Sequence, residues 1–538
     1  MEANPAGDLP GLKRSLSVWQ AVGLSVALMA PSMAANINPQ ASAGTAGRAV
    51  PLTFLIAAVG LSVALMAPSM AANINPQASA TTAGRAVPLT FLIAAVGVLL
   101  VAYSFVRLCQ YFHHSGSVYA FVGATLGPRT GVVAGWGLLG TYTFYAVVTS
   151  TAAGIFGTAF LQAVGIWHNP PSWAPFLLLA VTLVIALILA VMPARRGAGV
   201  LLSVEGITVA LILVITAVVL VRLLAGNAPG GHTFTWSVFQ VTPGTSFSAL
   251  FLGVVFGFLS FAGFEAAATL GEEANRPTRD IPRAIFGVAL FGGVYFVVVT
   301  AVEMMGFGAD KAGVAAFTAS PSLLGDLGST YVGHWVGDVV TLGTTFSAFG
   351  CCLACVVGAA RLLYALSRDT AGPRGLGSGS RWGTPAWATL VVVAAAGLIV
   401  VIYTAAAHAT AEDSFIWSGT IGTLILLVAY VLASLGATML VFVRRKLPVP
   451  MWQIVIPIAG LIVLGYTLYR NVIPYPTGAA AWFPVVSGGW LVVAILAVIF
   501  APGTARRLGV ALAAREGIPV PGEEKAEVAS PGLAATGE

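Results

Sequence analysis

Long apolar runs, interrupted by short polar stretches, set the pattern of the chain. From residue 87 onward they predict membrane-length helices at about 87–108, 131–163, 174–193, 198–222, 247–270, 284–306, 335–366, 385–406, 414–443, 449–470 and 482–501. Each is of a length to cross a hydrocarbon layer about 30 Å thick. Helical spans of this kind exclude a membrane β-barrel, whose strands alternate over about ten residues. Ahead of residue 87 the pattern repeats itself. Residues 21–57 and 58–94 are tandem copies that differ only at Gly44 against Thr81. The first copy opens a span from about Val18 to Ala35, followed by Asn36-Ile37-Asn38-Pro39. The junction fuses the apolar run Val50–Gly60 to Leu61–Pro68, giving a hybrid segment, about 49–72, that is again long enough to span. Near-identity marks a recent event, unlike the diverged internal symmetry of folds built from old repeats. With one copy set aside, twelve helices are predicted. The second copy is expected to supply the first of them, because its connection to the next span is of ordinary length. The first copy is then a peripheral extra helix. The chain divides into a polar N-terminus, 1–16, the first copy, 17–57, a membrane domain, 58–501, and an Ala/Gly/Glu/Pro-rich tail, 502–538, expected to be disordered.

Composition agrees with the pattern. The chain has 538 residues, of which 58% are hydrophobic and 8% charged, against roughly 25% charged in a soluble domain. Mean hydropathy is +0.92. The first partner implied is therefore the lipid bilayer. The net charge of +6 does not call for nucleic acid, since Lys and Arg in a membrane protein mainly set orientation. With twelve spans and the N-terminus inside, all 25 lysines and arginines except Arg48, Arg85, Arg222, Lys311 and Arg470 fall on the cytoplasmic side. A thirteenth span would invert everything downstream. Either the N-terminus is outside, or one copy does not cross. The cysteines, Cys109, Cys351, Cys352 and Cys355, lie in or beside apolar spans and read as packing residues. No Cys/His spacing suggests a zinc site, so no metal and no cofactor is expected. The first residues carry no pattern of a cleavable leader.

One stretch begins as membrane helix and ends as a charged loop: Phe261-Ala262-Gly263-Phe264-Glu265, then Glu272-Glu273-Ala274-Asn275-Arg276-Pro277-Thr278-Arg279-Asp280-Ile281-Pro282-Arg283-Ala284-Ile285. It resembles the amino acid–polyamine–organocation (APC) superfamily of secondary transporters, in which the sixth helix reads F-x-G-F-E or -D before E-E-x-x-N-P-x-R-x-I-P-x-A-I. A second match is Arg361-Leu362-Leu363-Tyr364-Ala365-Leu366-Ser367-Arg368-Asp369 with Gly383-Thr384-Pro385. A weaker third is Ser115-Gly116-Ser117-Val118-Tyr119 leading to Gly127 and Gly135-Trp136. The resemblance covers about residues 15–500. It implies an all-α, LeuT-like fold: a 5+5 inverted repeat plus two C-terminal helices. It implies a multi-pass permease of the cell (plasma) membrane that carries an amino acid or related amine by alternating access. Substrate would bind where the first and sixth helices unwind. Three departures stand out. Asn275-Arg276-Pro277 breaks the usual Asn-Pro pair. The Gly-rich break of the first helix is replaced by Ala67-Pro68-Ser69-Met70-Ala71, or by Ala30-Pro31-Ser32-Met33-Ala34 in the first copy. The lysine that some relatives carry near the start of the fifth helix is missing from Gly197–Glu205.

The residues argue for a site on their own terms. A proline inside a span removes a backbone donor, and freed backbone groups in lipid cost several kcal/mol each unless buried or bound. Pro68 before Ser69 predicts a helix break, and Gly263, after Ser260-Phe261-Ala262, a second. Amides at half-helix N-termini suit a carboxylate, while freed carbonyls suit an ammonium or a cation. The ordinary alternative is a packing kink and a close helix contact. A carboxylate at mid-span costs about 2.5–3.5 kcal/mol on insertion scales and usually pairs, protonates or lines a pathway. Glu265 is thus a candidate for proton coupling, with a structural hydrogen bond as the alternative. Glu205 is a second candidate, placed nearer the cytoplasmic third. Glu303 and Asp338 lie near span ends and are expected to be solvated. Phe261 is the best candidate for an aromatic wall, ahead of Trp136, Tyr142 and Phe264. Thr344, Thr345 and Ser347 offer hydroxyls for sodium. His113-His114 reads as interfacial, and Arg279 with Glu272-Glu273 as a cytoplasmic latch. The function expected is secondary transport of a small molecule, proton-coupled, with sodium coupling or exchange as the alternatives. The rival of another class is a membrane sensor that kept the fold, which would be expected to carry a soluble output domain. An enzyme is not expected, for lack of a nucleophile–base pair, metal cluster or phosphate loop near a span.

Overall fold

The computed structural model describes residues 62, 66–112, 118–192, 197–270, 277–369, 375–377, 384–500, 503 and 507. Outside them lie the first-copy residues Ala30, Pro31, Ser32, Met33 and Ala34, together with His113, His114, Glu272, Glu273, Asn275 and Arg276. Among the described residues every regular element is helical. In order these are α1 (Pro68–Ala83), α2 (Val87–Tyr111), α3 (Val118–Leu126), α4 (Pro128–Ala163), α5 (Ala174–Val191) and α6 (Gly197–Leu224). Then come α7 (Leu250–Phe261), α8 (Pro277–Phe307), α9 (Lys311–Ala319), α10 (Leu323–Tyr331), α11 (His334–Asp369) and α12 (Ala386–Ala407). The last three are α13 (Ala411–Thr438), α14 (Val455–Val472) and α15 (Trp482–Phe500).

Eleven segments among the described residues are long and apolar enough to cross a membrane, the first being α1 and α2 in succession, Pro68–Tyr111. Of the apolar stretch leading into α1, Ser62 and Met66 are described. With Ser62, Met66 and α1 counted together as the first member, α2, α4, α5 and α6 complete a set of five. A second set is α7, α8, α11, α12 and α13, and α14 and α15 stand outside both. The first member of each set is the one that breaks.

Burial separates an inner group from an outer ring. The most apolar window of α4 is 83% buried and that of α7 with its continuation 78%, whereas those of α12 and α15 are each 17% buried. Apolar side chains of the outer helices, such as Leu398, Val401 and Ile499, remain exposed where lipid tails would cover them. The inner helices approach closely through small residues. A Cβ on Gly257 would come within 2.5 Å of the Ala94 Cβ, so α7 and α2 meet almost backbone to backbone there.

Two expectations need correction. The first span was expected to end near residue 72, yet α1 continues through Asn73, Asn75 and Gln77 to Ala83. Polar side chains stay in the interior there because neighbours satisfy them. Asn73 Nδ2 donates to Thr344 Oγ1 at 2.9 Å, and its Oδ1 accepts from the Leu324 amide at 2.9 Å. Gln77 donates to the Phe317 and Ser320 carbonyls. Glu303, expected to be solvated, is 1% exposed. The short helices α9 and α10 fold back over the end of α8, and the Tyr331 hydroxyl of α10 donates to the Gly306 carbonyl at 3.0 Å. Asp338 is half-buried.

Candidate functional site

The first break is at Ala67, which adopts the left-handed conformation (φ 42°, ψ 61°) immediately before Pro68 opens α1. Proline suits the first helical position because its missing N–H would have no partner there. The next amides do have partners. Ser69 N donates to Glu205 Oε1 at 3.0 Å, Met70 N to Ser347 Oγ at 3.3 Å, and Ala71 N to the Ala67 carbonyl at 2.8 Å. The Tyr295 hydroxyl reaches the Pro68 carbonyl at 3.4 Å. Glu205, in the first third of α6, is therefore at the break itself. The Ser69 and Ser347 hydroxyls lie close to its carboxyl, whose Oε2 has no donor in hydrogen-bonding geometry among the described residues.

The second break follows α7. Ala262 N closes the helix on the Leu259 carbonyl at 3.2 Å, Gly263 turns to φ 103°, and a 3-10 segment, Phe264–Leu270, continues the chain. That φ is open to glycine and disfavoured for a residue with a Cβ. Glu265 folds back on the turn: its Oε2 accepts from Gly263 N at 3.2 Å and from the Tyr430 hydroxyl at 2.9 Å. Its own backbone N–H also bonds the carboxylate. Tyr430 in turn packs with Phe105 and Phe264, each pair of ring centroids 5.7 Å apart.

One side chain joins the two breaks. Ser62 Oγ donates to the Phe264 carbonyl and accepts from Ala267 N, each at 3.0 Å. Farther along, Asn75 Nδ2 of α1 donates to Ser260 Oγ of α7 at 2.6 Å, while Asn75 Oδ1 is buried without a partner. Ala67, Ser69, Met70, Ala71, Ser260, Phe261, Ala262, Glu205 and Glu265 are all buried, as are Pro68 and Gly263.

The structure thus brings together the candidate residues of the second copy and the candidate residues of α7 and α6. Other expectations resolve differently. Phe261 packs edge-on against Phe296, with centroids 5.2 Å apart. Trp136 stacks on Trp490, and the two indoles exchange hydrogen bonds with each other's carbonyls at 2.9 and 2.8 Å. That contact pins α15 to α4 and lies apart from the breaks. The α11 hydroxyls are engaged with α1 donors or their own helix: Ser347 with Met70 N, Thr344 with Asn73, Thr345 with the Thr341 carbonyl. Arg279 is exposed. Sequence reasoning missed Ser62, Asn73, Asn75, Tyr295 and Tyr430. The two asparagines had a signal, a polar pair just beyond a predicted break. The two tyrosines and Ser62 had none.

Comparison with known proteins follows from this geometry. Residues 48–507 match the family model described as amino acid permease. The chain is 27% identical over 313 residues to the low-affinity putrescine importer PlaP of Escherichia coli, covering 56% of this chain and 64% of that protein. It is 28% identical over 304 residues to the branched-chain amino acid permease BcaP of Lactococcus lactis, covering 55% and 64%. The match thus spans just under two thirds of the length of each of these two relatives. Against an uncharacterized transporter of Mycobacterium tuberculosis it is 30% identical over 385 residues, covering 68% and 75%. Among solved structures, the manganese transporter of Eremococcus coleocola, in complex with an aromatic bis-isothiourea substituted compound, aligns with a TM-score of 0.51 at 15% identity. That alignment covers 86% of this chain and 97% of the other. The likeness is one of fold, the LeuT-like arrangement of paired five-helix sets.

Proposed function

The chain belongs to the amino acid permease family, and from that premise we propose that it carries an amino acid or related amine across the membrane by alternating access, coupled to protons. The observation that carries this reading is the pair of broken helices. Their ends meet inside the bundle, Ser62 bonds one to the other, and each break holds a buried carboxyl. Half-helices of this kind offer backbone groups to a small polar ligand at mid-membrane. Ala67 to Ala71 and Ser260 to Gly263 form the two walls, and rocking of one helix group against the other opens them alternately. Glu265 and Glu205 are the proton-carrying groups. Glu265 Oε2 accepts from both Gly263 N and Tyr430, so a proton added there displaces one of these donors and loosens the turn. Sodium coupling is less supported. The α11 hydroxyls that would help bind the ion accept instead from the Met70 amide and the Asn73 side chain.

The test is uptake by proteoliposomes holding the full chain, against a panel of amino acids and polyamines, with imposed pH or sodium gradients. The expected result is accumulation of at least one panel member under an inward proton gradient. No uptake under any gradient sinks the transport reading, and accumulation under sodium alone sinks the proton.

A further inference from the structure

Resting on that transport reading, we infer that the site selects an amine lacking an α-carboxylate, because its own side chains already occupy the amides that open α1. A free helix N-terminus binds anions through amides without intrahelical partners. At α1 that supply is spent: Pro68 has no N–H, Ser69 N is bound to Glu205, and Met70 N to Ser347. Ala71 N already makes the first intrahelical bond. At the second break Gly263 N is held by Glu265 and Ala267 N by Ser62, while Ala262 N and Ala266 N go to backbone carbonyls.

Among the described residues, Glu205 Oε2 at the break and Asn75 Oδ1 about two turns along α1 are buried acceptors without a donor in hydrogen-bonding geometry, and the Ser69 hydroxyl, which can donate or accept, is likewise unpaired. Glu205 is 6% exposed, so water does not readily supply the missing bond. An ammonium is a pure donor with three N–H groups, whereas a carboxylate is a pure acceptor. An ammonium supplies Glu205 Oε2 with a donor, and its charge opposes that of Glu205. A carboxylate in the same place would face a second carboxylate, beside α1 amides that are already bound.

The experiment uses two matched pairs whose members differ only in the carboxylate: 3-methylbutylamine with leucine, and 1,5-diaminopentane with lysine. Each labelled compound is measured for uptake and for equilibrium binding with the full chain. The amine of at least one pair is expected to half-saturate at a concentration about tenfold or more below its partner, the scale of one charge-assisted hydrogen bond. Glu205→Gln keeps an acceptor for Ser69 N and removes the charge. It is expected to shrink the amine-to-amino-acid ratio about tenfold in binding, the readout least sensitive to turnover. Equal or better handling of the amino acids overturns the inference. So does a Glu205→Gln protein that weakens both members alike, which is what a purely structural glutamate would do. If the only compounds moved, here or in the wider panel, carry an α-carboxylate, this inference falls while transport stands. If nothing is moved or bound, both fall.

Discussion

Ala67 stands in a backbone conformation that costs a non-glycine residue about 1–2 kcal/mol, at the position where relatives are expected to carry glycine. Ala67→Gly relieves the Cβ clash at some cost in chain entropy, and is expected to raise the stability of the purified protein by up to about 1 kcal/mol. Ala67→Val, with a branched Cβ, is expected to lower it. Thermal unfolding in detergent reads both, and a stabilising valine would refute the strain. At the second break, Glu265→Gln keeps acceptors for Gly263 N and Tyr430 but cannot take up a proton. It is expected to abolish proton-driven accumulation while sparing exchange of substrate across the membrane. Persistent accumulation would remove Glu265 from the coupling scheme. Pro68 and Gly263 were readable because proline and glycine act on the backbone locally. Ser62 and Tyr430 were not, because their partners lie 202 and 165 residues away in the chain, and no local pattern encodes a contact at that distance.

At the scale of elements, the apolar runs located the helices well, since a span must bury its own backbone bonds whatever it packs against. They failed where a polar stretch is satisfied from elsewhere, as in the second half of α1, or where short helices cover an end, as over Glu303. The close meeting of α7 and α2 gives a direct check. Gly257→Leu is expected to destabilise the protein on the order of 1–3 kcal/mol through overpacking against Ala94, while Gly397→Leu on α12, with open space around it, is expected to be near neutral. Equal unfolding midpoints for the two would refute the tight crossing. The cover helix α10 offers a pH-dependent test. Burial pushes the Asp326 carboxyl above the ordinary carboxylate range, and the Ser320 hydroxyl, donating at 2.6 Å, partly opposes this. The folded protein thus holds that proton more tightly than the unfolded chain. Its stability falls as pH rises from the ordinary value to the raised one, and the penalty is complete above it. Asp326→Asn is therefore expected to raise the unfolding temperature at neutral pH, with the gain vanishing in acid. A gain independent of pH would point to another cause.

For the whole molecule, one expectation follows from the repeat. Removing residues 21–57 joins Gln20 to Ala58, which restores the residues that precede the first copy to the front of the second. The shortened protein keeps Ser62 and both walls of the site. It is expected to transport at an unchanged rate, and loss of uptake with intact insertion would show that the first copy has a role of its own. The two breaks also bear on how the carrier behaves when empty. The first turn of α1 is capped by Glu205 of α6 and Ser347 of α11, helices that belong to different five-helix sets. A swing of α1 away from both uncaps two amides in an apolar medium, a penalty of about 1–3 kcal/mol for each donor left bare. On the proposed transport reading, this weights the unloaded protein toward the capped conformation, and each factor of ten in the rate of leaving it corresponds to about 1.4 kcal/mol of such uncapping. On the same reading, those two caps act as a seal against leakage of protons past an idle carrier, made of the protein's own side chains.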